Sequence, residues 1–417
     1  MLALIDANNF YCSCERAFDP KLRGKPLVVL SNNDGCVISR SNEAKELGLK
    51  MAEPWHLVKD RPALRGVEWR SSNYALYGDM SRRVYQVLCG LAPNVEPYSI
   101  DEMFLDFTGI KKPGELAFRI RQAVQRATKI PTCVGIGPTK TIAKLANAVA
   151  KLDRAGPGVC DLSDANSRAA VYRKLSVDKV WGLGPASVKK LAHAHIKTVA
   201  EFVALPDDRV RQLLTVVGLR TQWELRGIHC QTALPFVSAR KSLAVTRSFG
   251  TGVESWAEME QAVASYMTRA AEKLRGHGLV ASAMQVFMHT NKFKPNEPFY
   301  ANHATVQLEP TADTFQLVAC AIRTAGRLWR DGYRYAKAGV ILLDLDPATS
   351  APAQLLPERD KAKSAALMMA LDRVNLRHGR GALRPAHLSS QPAWGMRRQK
   401  LSPEFTTCFE EMMRVSA

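Results

Sequence analysis

The stretch "EPYSIDEMFLDFTG", Glu96 to Gly109, decides how the chain is to be folded. Its apolar, aromatic and β-branched residues between Pro97 and Gly109 predict a strand. Two adjacent acids, Asp101 and Glu102, stand inside it. Successive strand side chains point to opposite faces. One acid would then enter a core, where an unpaired charge is costly. The conflict resolves if both acids occupy a hairpin tip and the strand proper begins near Met103. Both can then swing toward a third acid. Asp6, which ends the apolar run Leu2–Ile5, is that acid if the two strands end on the same edge. Spacing alone does not force that pairing. Clustered carboxylates suit hard divalent cations, and two ions ~3.5–4 Å apart clamp a phosphoryl displacement. The plain alternatives are a turn residue for Asp6 and a solvated tip for the pair. Asp106 reads as structural.

Outward from this hairpin, strands and helices alternate to about residue 165, which argues α/β or α+β. "KPLVVLSN" and "GCVISR" predict strands joined by turn residues, and "SNEAKELG" a short helix with Ser41 as N-cap and Gly48 just past its end. "NYALYGDMSRRVYQVLCGLAP" and "ELAFRIRQAVQRAT" are amphipathic helices, and "TCVGIG" a strand. In the helix "TKTIAKLANAVAK", at ~100° per residue, Lys140, Lys144 and Lys151 fall within about 40° of one another, opposite Ile142, Leu145 and Val149. A basic face of this kind is either solvated or a phosphate contact.

Short helices dominate residues 166–230. "VWGLGPASVKKLAHAHIKTVAEF" places Gly182 and Gly184 between two short helices, the second carrying Lys189 and Lys190. That is the pattern of a helix-hairpin-helix, whose glycines let backbone N–H groups reach a phosphate. Residues 231–242 read as a linker. Residues 243–345 return to β-α-β, a small sheet with two helices. In its first strand, "AVTRSFG", Arg247 and Ser248 are candidate phosphate contacts. After Asp346 a Pro-, Ala- and charge-rich stretch reads as a flexible connection to a basic tail.

The 417 residues are enough for several domains, and 46% hydrophobic with 23% charged residues is the composition of a globular protein. A net charge of +19 favours a polyanionic partner, nucleic acid before membrane. No run approaches the length of a transmembrane helix. Nine scattered cysteines without zinc spacing argue against a disulfide framework and for a reducing cytoplasm.

Taken in order, "SNNDGCVISRSNEAKELGLKM", "SSNYALYGDMS", "YSIDE", "GIGPTKTIAKLAN", "VWGLG", "TRSFG" and "YAKAGV" resemble the Y-family, lesion-bypass DNA polymerases, in particular their UmuC-type branch. The likeness weakens after about residue 350. It implies an α+β right-hand fold: palm at residues 1–15 and 75–165, fingers at 16–74, a helical thumb at 166–230 and a little finger at 243–345. A partner-binding tail would fill 346–417. It implies that Asp6, Asp101 and Glu102, with the Ala7 carbonyl, bind two Mg²⁺ ions. Tyr11 corresponds to the steric gate that excludes a ribose 2′-hydroxyl. Asn9 and Phe10 would meet the nucleotide through backbone N–H groups, and Lys45 and Lys151 would bind its phosphates. Many members carry a Tyr where this chain has Asn42.

The resemblance further implies primer-template DNA and dNTP as substrates, a cleaved UmuD-type dimer and a RecA filament as partners, a role in SOS mutagenesis, and location at the bacterial nucleoid. UmuC-type chains carry a Gln-Leu-x-Leu-Phe clamp motif. The nearest match here, at Gln354, has Pro357 and no Phe, which speaks against sliding-clamp binding. The rival expectations are a catalytically inactive DNA-binding scaffold of the same fold, disfavoured because no acid is missing, and a nuclease using the same metals.

Overall fold

Strand β1 (Leu2–Ala7) is buried along its whole length, which only a central strand with both faces covered allows. In the computed structural model it lies in the middle of a five-stranded sheet. The structure describes residues 1–153, 156–230, 240–350, 360–379, 381–386 and 392–412. They form two units, residues 1–236 with 399–417, and residues 237–398.

The first unit continues with α1 (Phe10–Phe18), β2 (Leu27–Leu30), β3 (Val37–Arg40), α2 (Asn42–Glu46), α3 (Trp55–Val58) and β4 (Glu68–Ser71). Next come α4 (Tyr74–Cys89), β5 (Val95–Pro97), β6 (Glu102–Asp106), α5 (Pro113–Thr128), β7 (Thr132–Gly137), α6 (Lys140–Leu152) and β8 (Val159–Asp161). Four helices close it: α7 (Ala165–Lys174), α8 (Pro185–His193), α9 (Val199–Ala204) and α10 (Asp207–Leu225).

The large sheet has the order β5-β6-β1-β7-β8, with β1 antiparallel to both neighbours. Strand alternation sorts its residues. Ala3, Ile5 and Ala7 join the core under α1, α4 and α5, with Met103, Leu105, Val134 and Ile136. Leu4 and Phe104 point the other way, against Ala143 of α6. Each fully buried Leu or Ile contributes about 1.5–3 kcal/mol. Helix α6 can lie flat on β7 because Gly135 has no side chain. A Cβ there would stand 2.0 Å from Asn147 N and 2.2 Å from Ala143 O.

A separate sheet, β3-β2-β4, packs Val28, Leu30 and Val37 against Ala44, Trp55 and Val58. Ser41 caps α2 by accepting from Ala44 N, as its position predicts. Helices α7 to α10 pack on Ile142, Leu145 and Ala146 of α6. The end of α10 is pinned to the start of α6, where Thr139 Oγ1 donates to Glu224 O at 2.9 Å. One expectation is corrected here. The element before the Gly182–Gly184 turn is a single 3₁₀ turn, Val177–Lys179, and not a helix.

The second unit is a four-stranded antiparallel sheet, order β11-β10-β12-β9, with two helices on one face. In chain order it runs β9 (Ser242–Val253), α11 (Trp256–Gly276), β10 (Leu279–Thr290), β11 (Ala301–Thr311), α12 (Thr314–Leu328) and β12 (Tyr335–Pro347). Strand β11 has no counterpart in the sequence reading, although His303, Thr305, Gln307 and Glu309 alternate with Ala304, Val306 and Leu308. The expected basic tail contains a helix that the sequence reading did not assign. Helix α13 (Lys361–His378) packs on this unit through Arg275–Asp372 (2.7 Å) and the buried Met368 and Leu371. Residues 399–412 belong to the first unit. The segments 231–239 and 351–359, with most of the expected linker and the Gln354 motif, lie outside the described residues. Among the described residues no helix is long and apolar enough to cross a membrane, and the nine cysteines are free.

Candidate active site

The β5–β6 hairpin answers the question posed by "EPYSIDEMFLDFTG". Asp101 lies in the bend and β6 begins at Glu102, one residue earlier than expected. Asp6 and Glu102 are directly opposed in the antiparallel ladder, so their side chains share a face. Asp101 is tied into the same edge, with Ala7 N donating to Asp101 O at 2.8 Å. Ser99, two residues earlier, shapes the bend. Its hydroxyl donates to Asp101 Oδ1 (2.5 Å) and accepts from the N–H groups of Asp101 and Glu102. A Ser at this spacing is a turn signal that could have been read from the sequence.

Two lysines of the α6 stripe meet these acids. Lys151 Nζ stands 2.5 Å from Asp6 Oδ2, and Lys144 Nζ 2.7 Å from Glu102 Oε2. Lys140 is buried and pairs with both oxygens of Glu96 at 2.7 Å. Lys144 also lies over the rings of Tyr98 (4.5 Å) and Trp181 (5.1 Å). Glu96 and Trp181 are thus site residues to which the sequence reading assigned no role.

Asp6 is the strained member. Burial pushes its carboxyl up to about 7; Lys151 pulls it down, while Glu102 and Asp101 add to the rise. Among the described residues no three acidic, His or Cys side chains stand as a ready-formed ion cluster. The donor set nonetheless fits a hard divalent cation, being carboxylate and carbonyl oxygen throughout. The costly buried charge of Asp6 is what such a cation would offset.

Tyr11 sits in the first turn of α1 and stacks on Tyr77 of α4, with centroids 4.5 Å apart and planes at 15°. Tyr74 meets it edge-on at 6.0 Å. Burial, with Tyr74 and Asp101 nearby, pushes the Tyr11 hydroxyl up to about 12. Asn9 precedes α1 in a left-handed conformation, φ 49°, and its side chain does not cap the helix. It binds the α2 region instead: Lys45 Nζ donates to Asn9 Oδ1 (2.6 Å), and Asn9 Nδ2 donates to Asn42 Oδ1 (3.0 Å). Asn9, Phe10, Tyr11 and Lys45 are therefore brought together.

The expected DNA contacts are divided between the two units. Gly182 takes φ 92°, Gly184 is the N-cap of α8, and both are exposed with Lys189. Arg247 and Ser248 are adjacent in β9, so they point to opposite faces of the sheet. Ser248 shares its position with Lys337 across the ladder, while Arg247 pairs with Ala338 and influences Tyr266 beneath the sheet.

This fold has known relatives. It is similar to a Y-family DNA polymerase chimera of Dbh and Dpo4, with a TM-score of 0.65 at 20% identity over 82% of this chain and 98% of that one. It is also similar to an insertion ternary complex of Dbh DNA polymerase, TM-score 0.55 at 19% identity over 82% and 98%. The fold class is therefore that of the Y-family polymerases. Residues 5–148 match the impB/mucB/samB family, residues 240–355 its C-terminal domain, and residues 365–415 a domain of unknown function. Protein UmuC of Salmonella typhimurium is 43% identical over the whole of both chains. Protein ImpB of Salmonella typhimurium is 40% identical over 99% of both, and DNA polymerase IV of Moorella thermoacetica 27% over 91% of this chain and 93% of its own. The chain belongs to the impB/mucB/samB family.

Proposed function

We propose that this chain is a DNA-directed DNA polymerase of the lesion-bypass class, with Asp6, Asp101 and Glu102 as its metal-binding acids and Tyr11 as its sugar gate. The observation that carries this reading is the direct opposition of Asp6 and Glu102, with Asp101 in the adjoining bend. In the reaction the primer 3′-hydroxyl attacks the α-phosphorus of a dNTP and pyrophosphate leaves. Bound Mg²⁺, two ions in this reading, supplies a lowered pKa for the attacking hydroxyl and a hold on the leaving oxygens.

The chain's own residues do the rest. Lys151 offers its ammonium to the β- and γ-phosphates, a point charge where negative charge gathers. Asn9, Phe10 and Lys45 hold the triphosphate from the other side, aided by the N-terminal dipole of α1. Tyr11, backed by the flat ring of Tyr77, blocks the space that a 2′-hydroxyl needs. Gly182, Gly184 and Lys189 are the candidate backbone contacts on the primer-template, with Arg247 and Ser248 in the second unit. In this reading residues 1–15 and 75–165 are palm, 16–74 fingers, 166–230 thumb and 243–345 little finger. A UmuD-type dimer and a RecA filament remain partners by resemblance, and SOS mutagenesis the setting.

Primer extension on a template with an abasic site tests the assignment. Asp101→Ala abolishes extension and dNTP-dependent pyrophosphate release while the protein still binds the primer-template. Unchanged extension refutes the catalytic role of the acids.

A further inference from the structure

The segment Gln399–Met412, part of the tail that the resemblance assigns to partner binding, lies on the first unit. It runs along three elements. Lys400 pairs with the end of β4, Ser71 N donating to Lys400 O (2.9 Å) and Lys400 N to Ser71 Oγ (3.1 Å). Phe405 stacks on Phe18 at the end of α1, with centroids 4.9 Å apart and planes at 5°. Between them Ser402 is buried.

Two chains of contact lead from Ser402 to Tyr11. In the first, Ser402 Oγ donates to Glu15 Oε1 at 3.0 Å, and the same oxygen accepts from the Tyr77 hydroxyl at 2.6 Å. Glu15 is only 1% exposed, so its carboxylate depends on these donors for compensation. Tyr77 in turn is the ring on which Tyr11 stacks. In the second, Asn73 is the N-cap of α4, its Oδ1 accepting from Leu76 N (3.2 Å). Its amide donates to Ser402 O (3.0 Å), Ser402 Oγ (3.1 Å) and Pro403 O (3.1 Å). Helix α4 carries both Tyr74 and Tyr77. The segment therefore holds α1, which bears Tyr11, and α4, which bears its platform, in one register.

We propose that residues 399–412 form a strap that belongs to the sugar-discriminating site: Ser402 and Asn73 are positioning residues that hold Tyr77 flat beneath Tyr11. The inference rests on the reading of Tyr11 as steric gate. A gate discriminates only if it cannot yield. Tyr11 has a stacked partner rather than a hydrogen-bonded one behind it, and that partner is fixed at its hydroxyl by Glu15. Loosening Glu15 frees Tyr77 to tilt, and Tyr11 then recedes from an incoming ribose.

The test is single-nucleotide incorporation by the full chain, in the assembly in which it is active, comparing kcat/KM for a dNTP and its rNTP. Ser402→Ala lowers the dNTP/rNTP ratio by about fivefold, the worth of one ordinary intramolecular hydrogen bond. Ser402→Thr, which keeps the hydroxyl, restores it to within about twofold, near the limit of additivity for independent effects. Phe405→Ala, which loosens the strap without touching Glu15, lowers the ratio in the same direction. Tyr11→Ala abolishes discrimination, and adding Ser402→Ala to it causes no further loss. If Tyr11→Ala lowers the ratio while Ser402→Ala and Phe405→Ala both keep the parental value, the strap has no part in selection and the proposal falls. If Tyr11→Ala itself leaves the ratio unchanged, the gate reading falls and takes the proposal with it.

Discussion

Asp6 makes the site expensive to fold, and that expense is measurable. Its carboxyl rises from 3.8 to about 7, chiefly because it is buried. At 1.36 kcal/mol per unit, a rise of about three units costs the folded state about 4 kcal/mol above neutral pH. The direction follows from linkage. A group whose folded pKa is raised contributes stability that is fully present below its unfolded value, near 3.8, and lost as pH rises through 7. Asn has the same shape and does not ionise. Asp6→Asn is therefore expected to stabilise the metal-free protein at about pH 8 by roughly 2–4 kcal/mol, and by much less at about pH 4. For a unit of this size that is a rise in Tm of about 5–10 °C. Thermal unfolding in a chelating buffer, followed by circular dichroism across that pH range, reads it. In the proposed reading, millimolar Mg²⁺ should narrow the gap by stabilising the parent through binding to the folded state. The reasoning is refuted if Asp6→Asn is no more stable than the parent at about pH 8, or if the difference is the same at both ends of the range.

Other expectations follow from the lysines that meet these acids. If Lys151 binds the triphosphate as proposed, Lys151→Ala should raise KM for dNTP about 10- to 100-fold in steady-state incorporation assays, with smaller effects on primer-template binding. Glu96→Ala breaks the ion pair that Glu96 makes with the buried ammonium of Lys140 and should destabilise the first unit by about 3–5 kcal/mol in denaturant titration. Replacing both members of that pair with apolar residues of similar volume should recover most of the loss.

Much of the site was legible in the sequence because its parts are local. A strand that is apolar at every position declares itself central, and Asp6 ends one. The adjacent acids Asp101 and Glu102 fit no regular strand on a core and so mark a bend. The three lysines of α6 fall on one stripe by helical periodicity alone. Other features were not legible. Periodicity shows that a helix face is polar, but not whether water or a carboxylate lies opposite. Lys140 therefore reads like a solvated residue and is buried against Glu96. The pairing of Asp6 with Glu102 is a register between residues far apart in the chain, which no local propensity encodes. Arg247 and Ser248 look like one patch in sequence, yet strand alternation separates them.

The sequence by itself determined which segments are strands and helices across most of the chain, and which residues have the chemistry for a hard cation and a triphosphate, because periodicity, caps and side-chain type are local properties. Only the tertiary structure decided that two of the α6 lysines meet the site acids and that β11 completes the second sheet. It alone returned the final segment to Glu15 and Asn73. Its few apolar residues form no periodic pattern, so only the surface they meet, Phe18 on α1 and the start of α4, gives them a place.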